Sequence, residues 1–165
     1  MLTLADLLEA LTSVRLPNAA TVITEGAIDS RQVIPGSIFI AIPGERVNGH
    51  DFIGDAFKRG ASFALIQQDV DASFRTLDLR AGLKADATLE LESPLCLRVD
   101  NTISALQQIA RFWRRKFPDL RVVGITGSVG KSTTKEMVSE VLGVRYPTLK
   151  SPGNLNNEIG LPLTL

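Results

Sequence analysis

The chain has 165 residues, 44% of them hydrophobic and 22% charged, a balance that excludes a disordered or fibrous protein and allows one ordinary domain or two small ones. Lys plus Arg and Asp plus Glu number 18 each, so the formal net charge is zero. That excludes general nucleic-acid binding, which rests on an excess of cations neutralising phosphates, while leaving room for a local basic pocket.

The first element is a helix. Thr3 is its N-cap and Asp6 the partner of a capping box, although Glu or Gln is the usual residue there. Leu4, Leu7, Leu8 and Leu11 form one apolar face, and Pro17-Asn18 ends the element. Residues 37–42, Ser-Ile-Phe-Ile-Ala-Ile, read as a strand between the turn signals Pro35-Gly36 and Pro43-Gly44. Residues 51–59 read as a helix with Phe52, Ile53, Ala56 and Phe57 on one side, and Gly60 suits its end. A second strand is expected at 62–67. Residues 68–93 are the least patterned and read as a variable loop with room for a short helix.

A further strand is expected at 95–99. It contains Cys96, the single cysteine, so no intramolecular disulfide can form and the residue reads as a small buried apolar one. Residues 101–117 form a long helix with Ile103, Leu106, Ile109, Ala110 and Trp113 inward, closed by Pro118. Its basic end, Arg111, Arg114, Arg115 and Lys116, suits the negative end of a helix dipole. Strands are then expected at 120–125 and 144–149, on either side of a loop and a helix that runs to about residue 142. Strand–loop–helix–strand is the opening of a parallel α/β sheet. We place a domain boundary near residue 100. No basic leader precedes an apolar run, and no apolar stretch reaches ~18 residues, so a cytoplasmic protein without membrane contact is expected.

The loop between those last strands, Thr126-Gly127-Ser128-Val129-Gly130-Lys131-Ser132, carries the chemistry. Multiply charged phosphates need several donors converging on them. Gly127 and Gly130 let the backbone curl so that successive N–H groups point inward. The helix that follows adds its free N–H groups and positive dipole end. Lys131 can set an ammonium on the β- and γ-phosphates, and the Ser132 hydroxyl can ligate Mg²⁺, with Thr133 in the same first turn. The general phosphate-loop pattern puts glycine at 125; this chain has Ile125, with Gly124 one residue early. The tighter core Thr-Gly-x-x-Gly-Lys-Ser is complete. ATP is the expected nucleotide.

With its flanks, this loop is recognisable. Residues 123–137, Val-Gly-Ile-Thr-Gly-Ser-Val-Gly-Lys-Ser-Thr-Thr-Lys-Glu-Met, resemble the ATP loop of the Mur ligases of peptidoglycan synthesis. Residues 151–164, Ser-Pro-Gly-Asn-Leu-Asn-Asn-Glu-Ile-Gly-Leu-Pro-Leu-Thr, resemble the segment after the second strand of that family's central domain. Asp29-Ser30-Arg31, Pro35-Gly36-Ser37-Ile38-Phe39, Gly44-Glu45-Arg46 and Asn48-Gly49-His50-Asp51-Phe52-Ile53 are similar to its N-terminal domain. The resemblance covers nearly the whole chain, with 68–93 matching weakly. Asp-Ser-Arg with Pro-Gly-x-x-Phe is shared with the branch that adds the third peptide residue. Lys135-Glu136 and the asparagine-rich run favour the branch that adds D-alanyl-D-alanine.

The resemblance implies an α/β fold: a small mixed α/β N-terminal domain, residues 1–100, then the first strand–phosphate-loop–helix–strand unit of a parallel-sheet ATPase domain, residues 101–165, which ends incomplete. It implies an ATP- and Mg²⁺-dependent ligase acting as a monomer on UDP-N-acetylmuramoyl-tripeptide and D-alanyl-D-alanine through an acyl phosphate. Lys131 is then the catalytic lysine, and residues 126–133 hold ATP. Ser30 and Arg31 are the first candidates for the UDP end of the substrate, with Asn48 and Gly49 behind them; an Asp29–Arg31 salt bridge is the competing reading. His50 reads as an ordinary helix-start residue. One of Asn154, Asn156 and Asn157 is expected to orient the γ-phosphate or the acyl group, and Asn157 is our choice; turn-forming asparagines are the competing reading. Glu158 reads as a first-turn helix acid. The 165 residues are expected to be inactive alone. Another Mur-type ligase, folylpolyglutamate synthase included, or a nucleotide-binding module without catalysis, remains an alternative.

Overall fold

Alternation of side chains along short apolar segments sets the architecture. Ile38, Ile40, Phe63, Leu65, Leu95 and Leu97 bury on one side of a sheet, while Phe39, Ala41, Ala64, Ile66 and Cys96 bury on the other. The computed structural model describes residues 1–84, 91–153, 155 and 157–164. Its strands are β1 (Gly26–Ala27), β2 (Ile38–Ile40), β3 (Phe63–Ile66), β4 (Thr76–Asp78) and β5 (Leu95–Arg98), in the order β1-β2-β3-β5-β4. Every pairing is parallel, with Ile38 opposite Phe63 and Phe63 opposite Leu95.

Helices cover both faces. On one lie α1 (Leu4–Thr12) and α3 (Thr102–Arg115), which contribute Leu4, Leu7, Leu8, Ala105, Leu106 and Ile109 to the core. On the other lies α2 (Ile53–Lys58), entered through a short 3₁₀ turn at Gly49–Phe52 and contributing Ile53 and Ala56. Cover on both faces is what makes the central strands apolar throughout rather than alternating with polar residues. Cys96 sits within this core, where burial pushes its thiol up to about 11, so it packs as an apolar residue.

The cap read at the front of α1 is present in full. Thr3 Oγ1 accepts from the Asp6 amide, and Asp6 Oδ2 accepts from the Thr3 amide at 2.9 Å. Asp6 is 4% exposed and also receives Arg15 Nη1 at 2.8 Å and the Lys116 ammonium from beyond the end of α3. Burial alone would raise the Asp6 pKa. Hydrogen bonds from Lys116, Arg15 and Thr3 outweigh it and hold the carboxyl well below the usual carboxylate range. Lys116, from the basic end of α3, therefore ties α3 to α1.

The second half differs. Helix α4 (Lys131–Gly143) buries none of its residues. The strands expected at 120–125 and 144–149 do not form: Val122, Val123 and Leu149 are 64%, 59% and 82% exposed and the segments join no ladder. A strand needs a paired neighbour, and a parallel pair needs cover on both faces; one helix supplies neither. The segment 68–93 also departs from expectation. It holds strand β4 rather than a helix among its described residues, with residues 85–90 outside them. Strand β1 is too short to be visible as a pattern. A last helix, α5 (Gly160–Thr164), packs on α3, and Leu163 and Ile159 join the α1/α3 face of the core. The boundary drawn near residue 100 falls at the N-terminus of α3, which packs against the sheet.

Two outcomes follow for the 165-residue chain. Amides of Phe63–Ile66 and Leu95–Arg98 should exchange with solvent slowest, while those at 120–125 and 144–149 exchange at nearly unprotected rates. Equal protection in both halves, measured by NMR, would refute this picture. Asp6→Ala, which removes both the reciprocal cap and the link to Lys116, should cost about 2 kcal/mol in urea denaturation. A loss under ~0.5 kcal/mol would show that the network contributes nothing.

Candidate functional site

The phosphate loop adopts the backbone its glycines allow. Gly127 has φ +147° and Gly130 φ +82°, conformations that residues with a Cβ rarely take. Gly130 is also the N-cap of α4 and supplies no side-chain cap, so the first-turn amides of Lys131, Ser132 and Thr133 are left for another acceptor. Lys131 Nζ donates to Gly127 O at 2.6 Å, which lays the ammonium over the loop's own backbone. Val129 is 91% exposed, so only its main chain can matter to an anion here. The Ser132 and Thr133 side chains are exposed and make no hydrogen bond among the described residues. Helix dipole, free amides and ammonium are the groups that could hold an anion here.

Behind the loop, Lys135 Nζ donates to Ser151 O at 2.8 Å and Gly153 O at 3.0 Å. Glu136 pairs with the Lys150 ammonium, whose proximity lowers the Glu136 pKa. Asn157 Oδ1 accepts from the Gly160 amide at 2.7 Å and from the Ile159 amide at 3.3 Å, so it caps the start of α5. Its oxygen takes the turn-forming role, and Nδ2 stays without a partner among the described residues. Asn154 and Asn156 lie outside the described residues. Glu158 precedes α5, and its carbonyl receives Gln107 Nε2 of α3 at 3.1 Å.

The candidates in the first half gather along one edge. Residues after β1 (Asp29–Gln32), after β2 (Pro43–His50), after β3 (Gln67–Asp71) and after β5 (Val99–Asn101) all follow the carboxyl ends of parallel strands. Open α/β sheets bind ligands at that edge. Asp29 caps the 3₁₀ turn Ser30–Gln32 and holds Arg31 through Nε at 2.9 Å and Nη2 at 2.7 Å. The Arg31 hydrogen bonds bring Asp29 down to about 2. The salt-bridge reading of Asp29–Arg31 thus describes the geometry, although the Arg31 side chain remains 81% exposed. Ser30 is 6% exposed, and its hydroxyl makes no hydrogen bond among the described residues.

Asn48 is held by its neighbours: Oδ1 caps the 3₁₀ turn through the His50 amide, and Nδ2 donates to Gln68 Oε1 at 2.8 Å. Gly49 lies so close to the Ile42 backbone that a Cβ would come within 2.6 Å of Ile42 N, so only glycine fits. His50 lies in the 3₁₀ turn with both ring nitrogens engaged within the protein. Its Nε2 accepts from the Gln67 amide at 3.0 Å, so Nδ1 carries the proton and donates to Asn48 Oδ1 at 2.9 Å. Burial lowers the His50 pKa against an opposing pull from Asp51.

Some contributors were not foreseen. Gln67 Oε1 accepts from both the amide and the hydroxyl of Thr102, fixing the start of α3 to the end of β3. Arg98 pairs with Asp69 across the end of β3 and β5. Lys135 was noted only as half of a Lys-Glu pair. Each depends on a partner distant in sequence, so no local pattern announces it.

Residues 22–114 match the Mur ligase family, catalytic domain, and residues 125–165 match the Mur ligase middle domain. The first match alone covers over half of the chain, and the chain belongs to the Mur ligase family. Among its curated relatives, the UDP-N-acetylmuramoyl-tripeptide–D-alanyl-D-alanine ligase of Treponema pallidum is 40% identical over 139 residues, 84% of this chain and 28% of that protein. Among solved structures, MurF from Acinetobacter baumannii has a TM-score of 0.72 at 30% identity, covering 97% of this chain and 32% of that one. MurF ligase from Thermotoga maritima in complex with ADP has a TM-score of 0.61 at 31% identity, covering 85% and 28%. The chain therefore spans under a third of the length of these proteins. Among the described residues, no helix is long and apolar enough to cross a membrane.

His50 is the single histidine, which makes its titration readable. Its folded pKa lies below the ordinary 6.5, so between those two values the unfolded chain binds more protons. Stability should therefore be full above about pH 6.5 and fall as pH drops through the window below it. NMR titration should give a midpoint under 6.5 and the Nδ1–H tautomer; a midpoint at or above 6.5 would contradict the buried, accepting Nε2.

Proposed function

We propose that this chain is the nucleotide-gripping front of an ATP-dependent ligase that joins D-alanyl-D-alanine to UDP-N-acetylmuramoyl-tripeptide, working as a cytoplasmic monomer with no nucleic-acid or membrane partner. Residues 1–100 present the UDP end of the substrate, and residues 101–165 open the ATP site. The observation that carries the reading is the loop 126–132, with glycines at positive φ and Lys131 and Ser132 opening the helix behind it. The names of the relatives and the ADP-bound neighbour support it.

A peptide carboxylate is a poor electrophile, and ATP, when bound, supplies the phosphoryl group that turns it into an acyl phosphate open to attack by an amine. What this chain contributes is positioning and charge neutralisation. Main-chain amides from Gly127 to Ser132, with Thr126 leading in and Ser128 and Val129 at the turn, would hold the phosphates. Lys131 is the proposed catalytic lysine: its ammonium, now on Gly127 O, would neutralise phosphate charge when ATP is bound. Ser132 offers a free hydroxyl oxygen in the first turn, the hard donor that Mg²⁺ prefers, and Thr133 stands beside it. Asn157 would act through its free Nδ2, a donor suited to a phosphate oxygen.

At the carboxyl edge, the unpartnered hydroxyl of the largely buried Ser30 and the exposed Arg31 guanidinium are the groups available to a pyrophosphate or ribose. Asn48 and Gly49 serve that site by fixing the shape of the loop after β2. On their own, the 165 residues are proposed to bind nucleotide without turnover.

Titration calorimetry with ATP and Mg²⁺ tests this. Lys131→Ala should weaken binding roughly 10–100-fold, about 1.5–3 kcal/mol, with an unchanged circular dichroism spectrum. Ser132→Ala should weaken binding chiefly when Mg²⁺ is present. Equal affinity of Lys131→Ala and wild type would remove the ATP reading. Steady ADP release by the chain, dependent on both proposed substrates, would overturn the claim that it does not turn over.

A further inference from the structure

Lys131 and Lys135 stand one helical turn apart on α4, so they project from the same face. Both send their ammonium groups to main-chain carbonyls. Lys131 reaches back to Gly127 O at 2.6 Å, and Lys135 reaches to Ser151 O at 2.8 Å and Gly153 O at 3.0 Å. The Lys135 side chain is only 18% exposed, with Glu136 at 3.6 Å. An ammonium with two carbonyl acceptors and little access to water is an anchor, not a loose surface charge.

What it anchors is the turn Ser151-Pro152-Gly153. Gly153 takes φ +50°, and Pro152 O receives the Leu155 amide at 3.3 Å. The far end of the same run is fixed independently. Asn157 caps α5, α5 packs on α3, and Gln107 of α3 donates to Glu158 O. The run is thus pinned to the phosphate-loop helix at one end and to the sheet-bearing half of the molecule at the other. Because Lys131 and Lys135 share a face, the pinned turn lies on the side of α4 from which Lys131 serves the loop.

We propose that Lys135 is a positioning residue that holds the Ser151–Gly153 turn, and with it Asn157, beside the phosphate loop, so that binding of ATP is felt by this run. The proposal rests on the phosphate-loop reading of residues 126–132. Lys135 touches no phosphate itself; it acts through the carbonyls it grips.

The test is NMR-detected amide exchange of the 165-residue chain with and without ATP and Mg²⁺, for wild type, Lys135→Met and Lys135→Arg. Methionine keeps the stem and the helix propensity but has no donor; arginine keeps donors. In wild type, ATP should slow exchange at Gly127 to Thr133 and also at Gly153, Leu155 and Asn157. In Lys135→Met the loop response should persist with ATP affinity within about threefold. Exchange at Leu155, whose amide bonds Pro152 O, should meanwhile rise about tenfold, and the response of Gly153 and Leu155 to ATP should vanish. Lys135→Arg should restore it. A Lys135→Met protein whose Gly153 and Leu155 exchange and respond as in wild type overturns the positioning role while leaving the phosphate loop standing. Absence of any ATP response at Gly127 to Thr133 in wild type overturns the phosphate-loop reading and this proposal with it.

Discussion

A strand in a parallel sheet cannot return to its neighbour through a tight hairpin, and most of this molecule follows from that constraint. Each connection must cross a face of the sheet before the next strand begins. Helix α2 crosses one face between β2 and β3, while α1 and α3 cover the other. Covered on both sides, β2, β3 and β5 become apolar at nearly every position. The same rule puts the loops after β1, β2, β3 and β5 along one edge, which is why Ser30, Arg31, Asn48 and Gly49 share it although they are spread over 20 positions.

The phosphate loop obeys a different logic. Its first-turn amides are left unsatisfied by protein side chains at a surface position that starts a helix, the arrangement a phosphate-binding role would need. Helix α4 has no fully buried residue. Its attachments are polar and few: Lys131 on the loop carbonyl, Lys135 on the Ser151–Gly153 turn, and Glu136 with Lys150. The exposed Glu136–Lys150 ion pair contributes little stability, whereas the sheet and its helices bury whole leucine, isoleucine and phenylalanine side chains. One half of the chain is thus built for packing and the other for presenting donors. The run from Ser151 to Thr164 connects them, held by Lys135 on one side and by α3 on the other.

Legibility in the sequence tracked the range of the interaction. The Thr3–Asp6 cap, the glycines at 127 and 130, the helices at 53–58 and 102–115 and the strands around Ile38, Phe63 and Leu95 all carry a residue pattern within a few positions, and each could be read directly although the strands pair with partners far along the chain. Strand β4 could not, because three residues reading Thr-Leu-Asp carry no pattern until β5 pairs with them. The segments 120–125 and 144–149 misled in the opposite sense. Their composition favours strands, but a strand exists only with a partner at its edge, and none of the described strands provides one.

By itself, then, the sequence determined the glycine-bent loop at 126–132, the family it resembles and the period-two and helical patterns that build the sheet. Local backbone freedom and side-chain spacing suffice for these. Tertiary structure alone decided two further things: that His50 is a buried acceptor for the Gln67 amide, and that Lys135 grips a turn 16 residues away. Each of these is a hydrogen bond whose partner is chosen by how the chain folds back on itself, and spacing along the chain carries no record of that choice.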